Sequence, residues 1–142
     1  MSHATAHIEI KAPIQSVFDV ISDFEAYPEF LPETQKVVVD KKSAKHLQVT
    51  FTISLIRKIT YTLDIKLDPH HGLSWKLVKG DMMKKNSGHW KLTEVKKDLT
   101  KAIYEIDMDF GGMVPKAITN KLVGTNLPGM MKQFRDRVEE VA

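Results

Sequence analysis

The residues of this chain that could carry chemistry are its histidines, three carboxylates around residue 107, and four aromatic side chains with polar tips. The six histidines are His3, His7, His46, His70, His71 and His89. His70 and His71 are adjacent, and neighbours in sequence seldom converge on one ion. His3 and His7 have the four-residue spacing of a metal pair on a helix. Here they lie on or beside an alternating segment, and on a strand that spacing separates two side chains by roughly 13 Å. No carboxylate completes either set, so the sequence names no metal site. Glu105, Asp107 and Asp109 recur with period two opposite Tyr104, Ile106 and Met108. All three belong to a wet strand face, which argues against a carboxylate pair acting on a buried bond. There is no Gly-x-Ser-x-Gly elbow, phosphate-binding loop or dinucleotide fingerprint.

Tyr61, Trp75, Trp90 and Tyr104 fall on the apolar side of their segments. A buried phenol or indole N–H needs a partner, either another core group or a ligand atom. A tyrosine can polarise a carbonyl as a general acid. The sequence names no matching base, and so no catalytic residue.

The elements that position these side chains are strands. Ala4 to Ile10 alternates. Pro13 suits the first turn of a helix over about residues 13–21, where Val17, Phe18, Val20 and Ile21 share a face. Alternation then returns over Gln35–Asp40, His46–Leu55 and Lys58–Leu67. It follows again around Leu73, Trp75 and Leu77, then over Lys85–Glu94 and Thr100–Phe110, with short turns such as Asp68-Pro69-His70-His71-Gly72 between. This is an antiparallel meander with one packed and one solvated face. Gly111-Gly112 releases the last strand. Val114, Ile118, Leu122, Met130, Met131, Phe134, Val138 and Val141 predict one long helix from about 115 to 141, kinked or broken near Leu127 by Pro128. Met82 and Met83 fall in a predicted hairpin, exposed unless something contacts them.

The 142 residues suit one domain spanning 1–142. There is no cysteine, and hence no disulfide or thiolate metal site. No run approaches the roughly 18 apolar residues of a membrane span, and the first residues carry no secretory pattern; a cytoplasmic protein is expected. The net charge of +3 is too small to imply nucleic acid by itself. Lys41-Lys42, Arg57-Lys58 and Lys84-Lys85 are spaced basic pairs near strand ends. They are read as solvated turns or as a rim for a ribosome or another acidic surface.

Between the first helix and the meander lies Tyr27-Pro28-Glu29-Phe30-Leu31-Pro32, a stiff connector with a heavy apolar load. Seven strands span roughly 30 Å, whereas one helix covers a strip roughly 10 Å wide. The sheet must therefore curl, and the connector must cover what the helix leaves. Six of the methionines, adaptable fillers of irregular space, lie in the second half.

The strand, the Pro-initiated helix Val17-Phe18-Asp19-Val20-Ile21-Ser22-Asp23 and the Tyr-Pro-x-Phe-Leu-Pro motif resemble the polyketide cyclase/dehydrase and coenzyme-Q-binding branch of the START-related, pollen-allergen-like superfamily, which includes the ribosome-association toxins. Gly80, Gly88, Trp90 and Ile106-Asp107-Met108-Asp109-Phe110 agree. The resemblance implies an α+β helix-grip fold: a curved seven-stranded antiparallel sheet around a long C-terminal helix, with two short helices after the first strand. It also implies a lipophilic ligand such as a lipid, quinone or polyketide-like aromatic. Any turnover would be of the polyketide cyclase/dehydratase type. Coenzyme-Q-type members often continue the motif with Trp-Cys, where this chain has Glu33-Thr34. No cofactor is expected. The expected cavity wall is Phe51 and Ile53; Tyr61 and Leu63; Trp75 and Leu77; Trp90; Tyr104, Ile106 and Met108; and Leu122, Met130 and Phe134. Phe30 and Leu31 are expected to close one end.

Overall fold

The structure is a computed structural model that describes residues 2–54, 58–81, 83–111, 115–120 and 126–142. The strands are β1 (Ser2–Ile10), β2 (Thr34–Lys42), β3 (His46–Ser54), β4 (Lys58–Asp68), β5 (Gly72–Gly80), β6 (Lys85–Lys96) and β7 (Leu99–Asp109). They form one antiparallel sheet in the order β1-β7-β6-β5-β4-β3-β2, so the first strand closes against the last. The alternation read from the sequence sets the register. Leu47 faces Ile65, Val49 faces Leu63 and Phe51 faces Tyr61 on the inner side. Thr50 faces Thr62 on the outer side, with their hydroxyls 2.8 Å apart. A one-residue slip would turn every one of these side chains to the wrong face. Irregular pairing at Thr34/Lys36, Val39/Lys41, Thr62/Leu63 and Glu94/Lys96 adds local bends, and bends of this kind let a sheet curl.

Helix α1 (Ile14–Ile21) follows Pro13 and buries Val17, Phe18 and Ile21. The Thr100 hydroxyl donates to the Ala12 carbonyl at 2.8 Å, tying β7 to the link between β1 and α1. The connector begins in a 3-10 helix that spans Phe24–Glu29, contains Pro28 and stops before Phe30. Three residues per turn place Phe24 and Tyr27 on one side, and both are buried.

The C-terminal part comprises α2 (Lys116–Asn120) and α3 (Asn126–Val141). Asn126 is the first described residue of α3 and Pro128 the third, and the expected kink or break near Leu127 adjoins residues 121–125, which lie outside the described residues. Leu127, Met131, Phe134 and Val138 form the buried stripe of α3, which packs beside β1 and α1. Met83 is also not exposed: it is 6 % accessible and lies against Gly80. Met82 lies outside the described residues. Among the described residues, no helix is long and apolar enough to cross a membrane.

Thr100 and Ala12 are both sealed from solvent. Thr100→Val keeps the shape but strands the Ala12 carbonyl, so it should cost about 1–2 kcal/mol in urea unfolding. A variant as stable as the parent would show that this bond does not hold the β1–α1 link.

Candidate ligand-binding cavity

A cavity of about 290 Å³ lies between the inner face of the sheet, α3 and the connector. Its floor consists of Phe51 and Ile53 on β3, Tyr61, Leu63 and Ile65 on β4, Leu73 and Trp75 on β5, Asn86 and Trp90 on β6, and Tyr104, Ile106 and Met108 on β7. Leu127, Met130, Gln133 and Phe134 of α3 roof it. Phe24, Tyr27 and Leu31 close one end. Pro32, Glu33, Thr34, Asn126 and Gly129 form a rim that reaches solvent, where the Asn126 amide donates to Glu33 at 3.2 Å.

Most residues proposed from the sequence come together here, with three exceptions. Phe30 does not line the cavity. Its ring packs edge-on to Tyr27 and Phe134, with the Arg137 guanidinium 5.3 Å from its centroid. Leu77 is half-buried and packs over Gly80 with Met83, beside the cavity rather than in it, opposite Leu63 and just before the pairing shift. Leu122 lies outside the described residues. Phe24, Tyr27, Ile65, Leu73, Asn86, Asn126, Leu127 and Gln133 were not anticipated. Ile65, Leu73 and Asn86 were legible by parity, since each lies two or four residues from a wall residue on its own strand.

Aromatic contacts set the shape. Phe51 stacks on Tyr61 at 5.4 Å, and the Trp90 ring meets Tyr104 at 4.9 Å and Phe134 at 5.0 Å. The Trp75 indole crosses β6 at Gly88. A Cβ there would stand 2.6 Å from its Cζ2 and 2.2 Å from the Glu105 carbonyl oxygen, so only glycine fits. The indole N–H then donates to Asn86 Oδ1 at 3.0 Å.

The Tyr27 hydroxyl donates to the Ile21 carbonyl. The hydroxyls of Tyr61 and Tyr104 make no hydrogen bond among the described residues. All three phenols are pushed well above the ordinary tyrosine range by burial, which disfavours the phenolate. Proximity adds to this: Tyr104 and Tyr61 raise Tyr27, and Tyr61 raises Tyr104.

The titratable clusters lie on the opposite face of the sheet. His3 Nδ1 is 2.7 Å from Asp107, and His89 Nε2 is 3.7 Å from Glu105. His46 pairs with Asp64. Among the described residues, no three such groups gather as a metal set. The basic pairs do not form one rim. Lys41 and Lys42 end β2, whereas Lys58 begins β4 at the far end of the β2–β3–β4 meander. Lys84 lies along Gly111, and Arg57 lies outside the described residues.

Residues 10–135 match the family described as polyketide cyclase / dehydrase and lipid transport. The chain belongs to that family. This polyketide cyclase / dehydrase family member has the helix-grip fold, and solved structures share it closely. The Zhui aromatase/cyclase from Streptomyces sp. R1128 superposes with a TM-score of 0.88 at 17% identity, covering 98% of this chain and 94% of that one. A START superfamily protein from Mycobacterium smegmatis gives 0.86 at 20% identity, covering 99% of both chains. In sequence, the chain is 25% identical over 129 residues to the ribosome association toxin RatA of Vibrio cholerae, covering 89% of this chain and 88% of that protein.

Two outcomes test the cavity wall. Tyr27, Tyr61 and Tyr104 are the only tyrosines. Their folded pKa values lie above the unfolded value, so the stability they contribute is complete below about pH 10 and is lost as pH rises beyond it. A tyrosinate absorbance titration should show no ionisation near that pH, then all three ionising together with unfolding. A separate ordinary titration of one tyrosine would contradict its burial. Gly88→Ala should cost about 1–3 kcal/mol in urea unfolding, because backbone as well as the indole must move.

Proposed function

We propose that this protein binds a hydrophobic small molecule, a lipid, quinone or polyketide-like compound, in the cavity between sheet and α3. The observation that carries this reading is a cavity of about 290 Å³ whose floor and roof are mostly aliphatic and aromatic. Its size is near the lower end for small-molecule sites, and burial of apolar ligand surface would drive binding. The wall residues that the sequence named and the cavity retains, such as Phe51, Tyr61, Trp90 and Phe134, would make the contacts. Turnover has less support: the only described lining residue with a charged side chain is Glu33 at the rim, already held by Asn126.

Native mass spectrometry after gentle purification should find an added small-molecule mass, or uptake of an added quinone or lipid. A protein that stays empty against both would sink the reading. Gly129 offers a gate: a Cβ there meets nothing within 4 Å, so α3 accommodates a larger residue. Gly129→Ala should stabilise by up to about 1 kcal/mol in urea unfolding. Gly129→Trp should slow ligand uptake severalfold without loss of fold, measured by stopped-flow mixing.

A second reading rests on the solvent face of the sheet. Exposed Lys58, Lys66, Lys76, Lys79 and Lys91 share the outer side of β4–β6 with Asp64. Such a surface suits an acidic partner, and together with the likeness to RatA it supports a ribosomal, cytoplasmic setting. Cosedimentation with ribosomal subunits at low salt, lost at high salt and weakened in Lys66→Glu/Lys76→Glu, is the expected result. Binding indifferent to both would argue against this surface.

A further inference from the structure

Asn86 is 2 % accessible and stands on the inner face of β6, opposite Met108 in the register. Its carboxamide has only one orientation that chemistry allows. The Trp75 indole N–H at 3.0 Å can donate but not accept, so it must meet the amide oxygen. The amide nitrogen therefore points elsewhere. It has no partner among the described residues, yet none of their side-chain nitrogens or oxygens is both sealed in and unpaired. The nitrogen must consequently be open, and the surface Asn86 lines is the cavity. Gly88 makes this arrangement possible by giving the indole room to cross β6. Tyr104, whose ring lies 5.3 Å from that of Trp75, adds a hydroxyl without a protein partner among the described residues.

We infer that the ligand carries an acceptor oxygen, such as a ketone, quinone or lactone carbonyl, which the Asn86 amide nitrogen binds from the sheet floor. This rests on the cavity reading above. An amide nitrogen only donates, so the ligand atom that meets it must accept. A pure hydrocarbon of the same shape fills the space but leaves these hydrogens unpaired, which is the stronger source of discrimination. The cavity thus selects among lipophilic molecules by one oxygen, and Asn86 is the residue that determines that specificity.

Two probes of matched shape test it: 2-acetylnaphthalene, and 2-ethylnaphthalene with CH₂ in place of the carbonyl. Isothermal titration should show the ketone binding about tenfold tighter, the value of one net hydrogen bond. In the infrared, the carbonyl stretch of the bound ketone should fall below its position in hexane. The paired replacement Trp75→Phe with Asn86→Leu removes donor and acceptor together and leaves no orphan. It should abolish both the preference and the infrared shift. Should that variant fail to fold, the two measurements on the parent protein still decide. Equal affinities with an unshifted carbonyl band would overturn the inference and leave the cavity reading intact. A shift that persists in the paired variant would also overturn it, by placing the donor elsewhere. If neither probe binds and no quinone or lipid is taken up either, the cavity reading falls and takes the inference with it.

Discussion

Phe134 touches every layer of the molecule. Its ring stands 5.2 Å from Tyr27, 5.2 Å from Phe30 and 5.0 Å from Trp90, so helix, connector and sheet meet on one side chain. Their spacing depends on it. A helix about 10 Å wide cannot cover a seven-stranded sheet, and the sheet curls because it has to. Along the line of Phe134 the gap is closed by rings in contact. Beside that line Leu127, Met130 and Gln133 of α3 stand over the sheet across an open space, and that space is the cavity. The site is thus a by-product of a mismatch in width, with its height set by one phenylalanine.

Much of this was legible in the sequence because period-two alternation depends on local chemistry alone. His46–Leu55 and Lys58–Leu67 were recognisable as strands, and their inner residues became cavity floor. What escaped detection depended on neighbours distant in sequence. Phe30 carries the same apolar signal as Leu31, but Arg137 arrives from α3 to cap it, so it faces the outside of the wall. Leu77 has the right parity and faces Leu63, yet it packs over Gly80 beside the cavity, and the pairing irregularity comes only after it on β5. Asn86 was overlooked for a different reason. Its parity with Trp90 was visible, but a polar residue on an apolar face reads as noise until its partner, Trp75, is placed beside it.

The sheet also separates two kinds of chemistry. Its outer surface holds histidines against carboxylates and a spread of lysines, all in water and screened by salt. Its inner surface holds polar atoms that stay neutral: phenols, an indole and an amide. Neutral groups in a low-dielectric space keep their direction and their hydrogen-bonding sense, whereas charges there would shift or demand a counter-ion. An interior furnished this way discriminates by geometry and by donor or acceptor character, and is indifferent to the ionic strength that governs the outer face.

Both tryptophans and all three tyrosines of the chain line the cavity. The tryptophan and tyrosine fluorescence of this protein therefore originates within one small volume, with no tryptophan or tyrosine elsewhere to dilute it. Whatever enters or leaves that volume alters the dielectric around every emitter at once. The molecule is, by the placement of five side chains, its own optical gauge of occupancy.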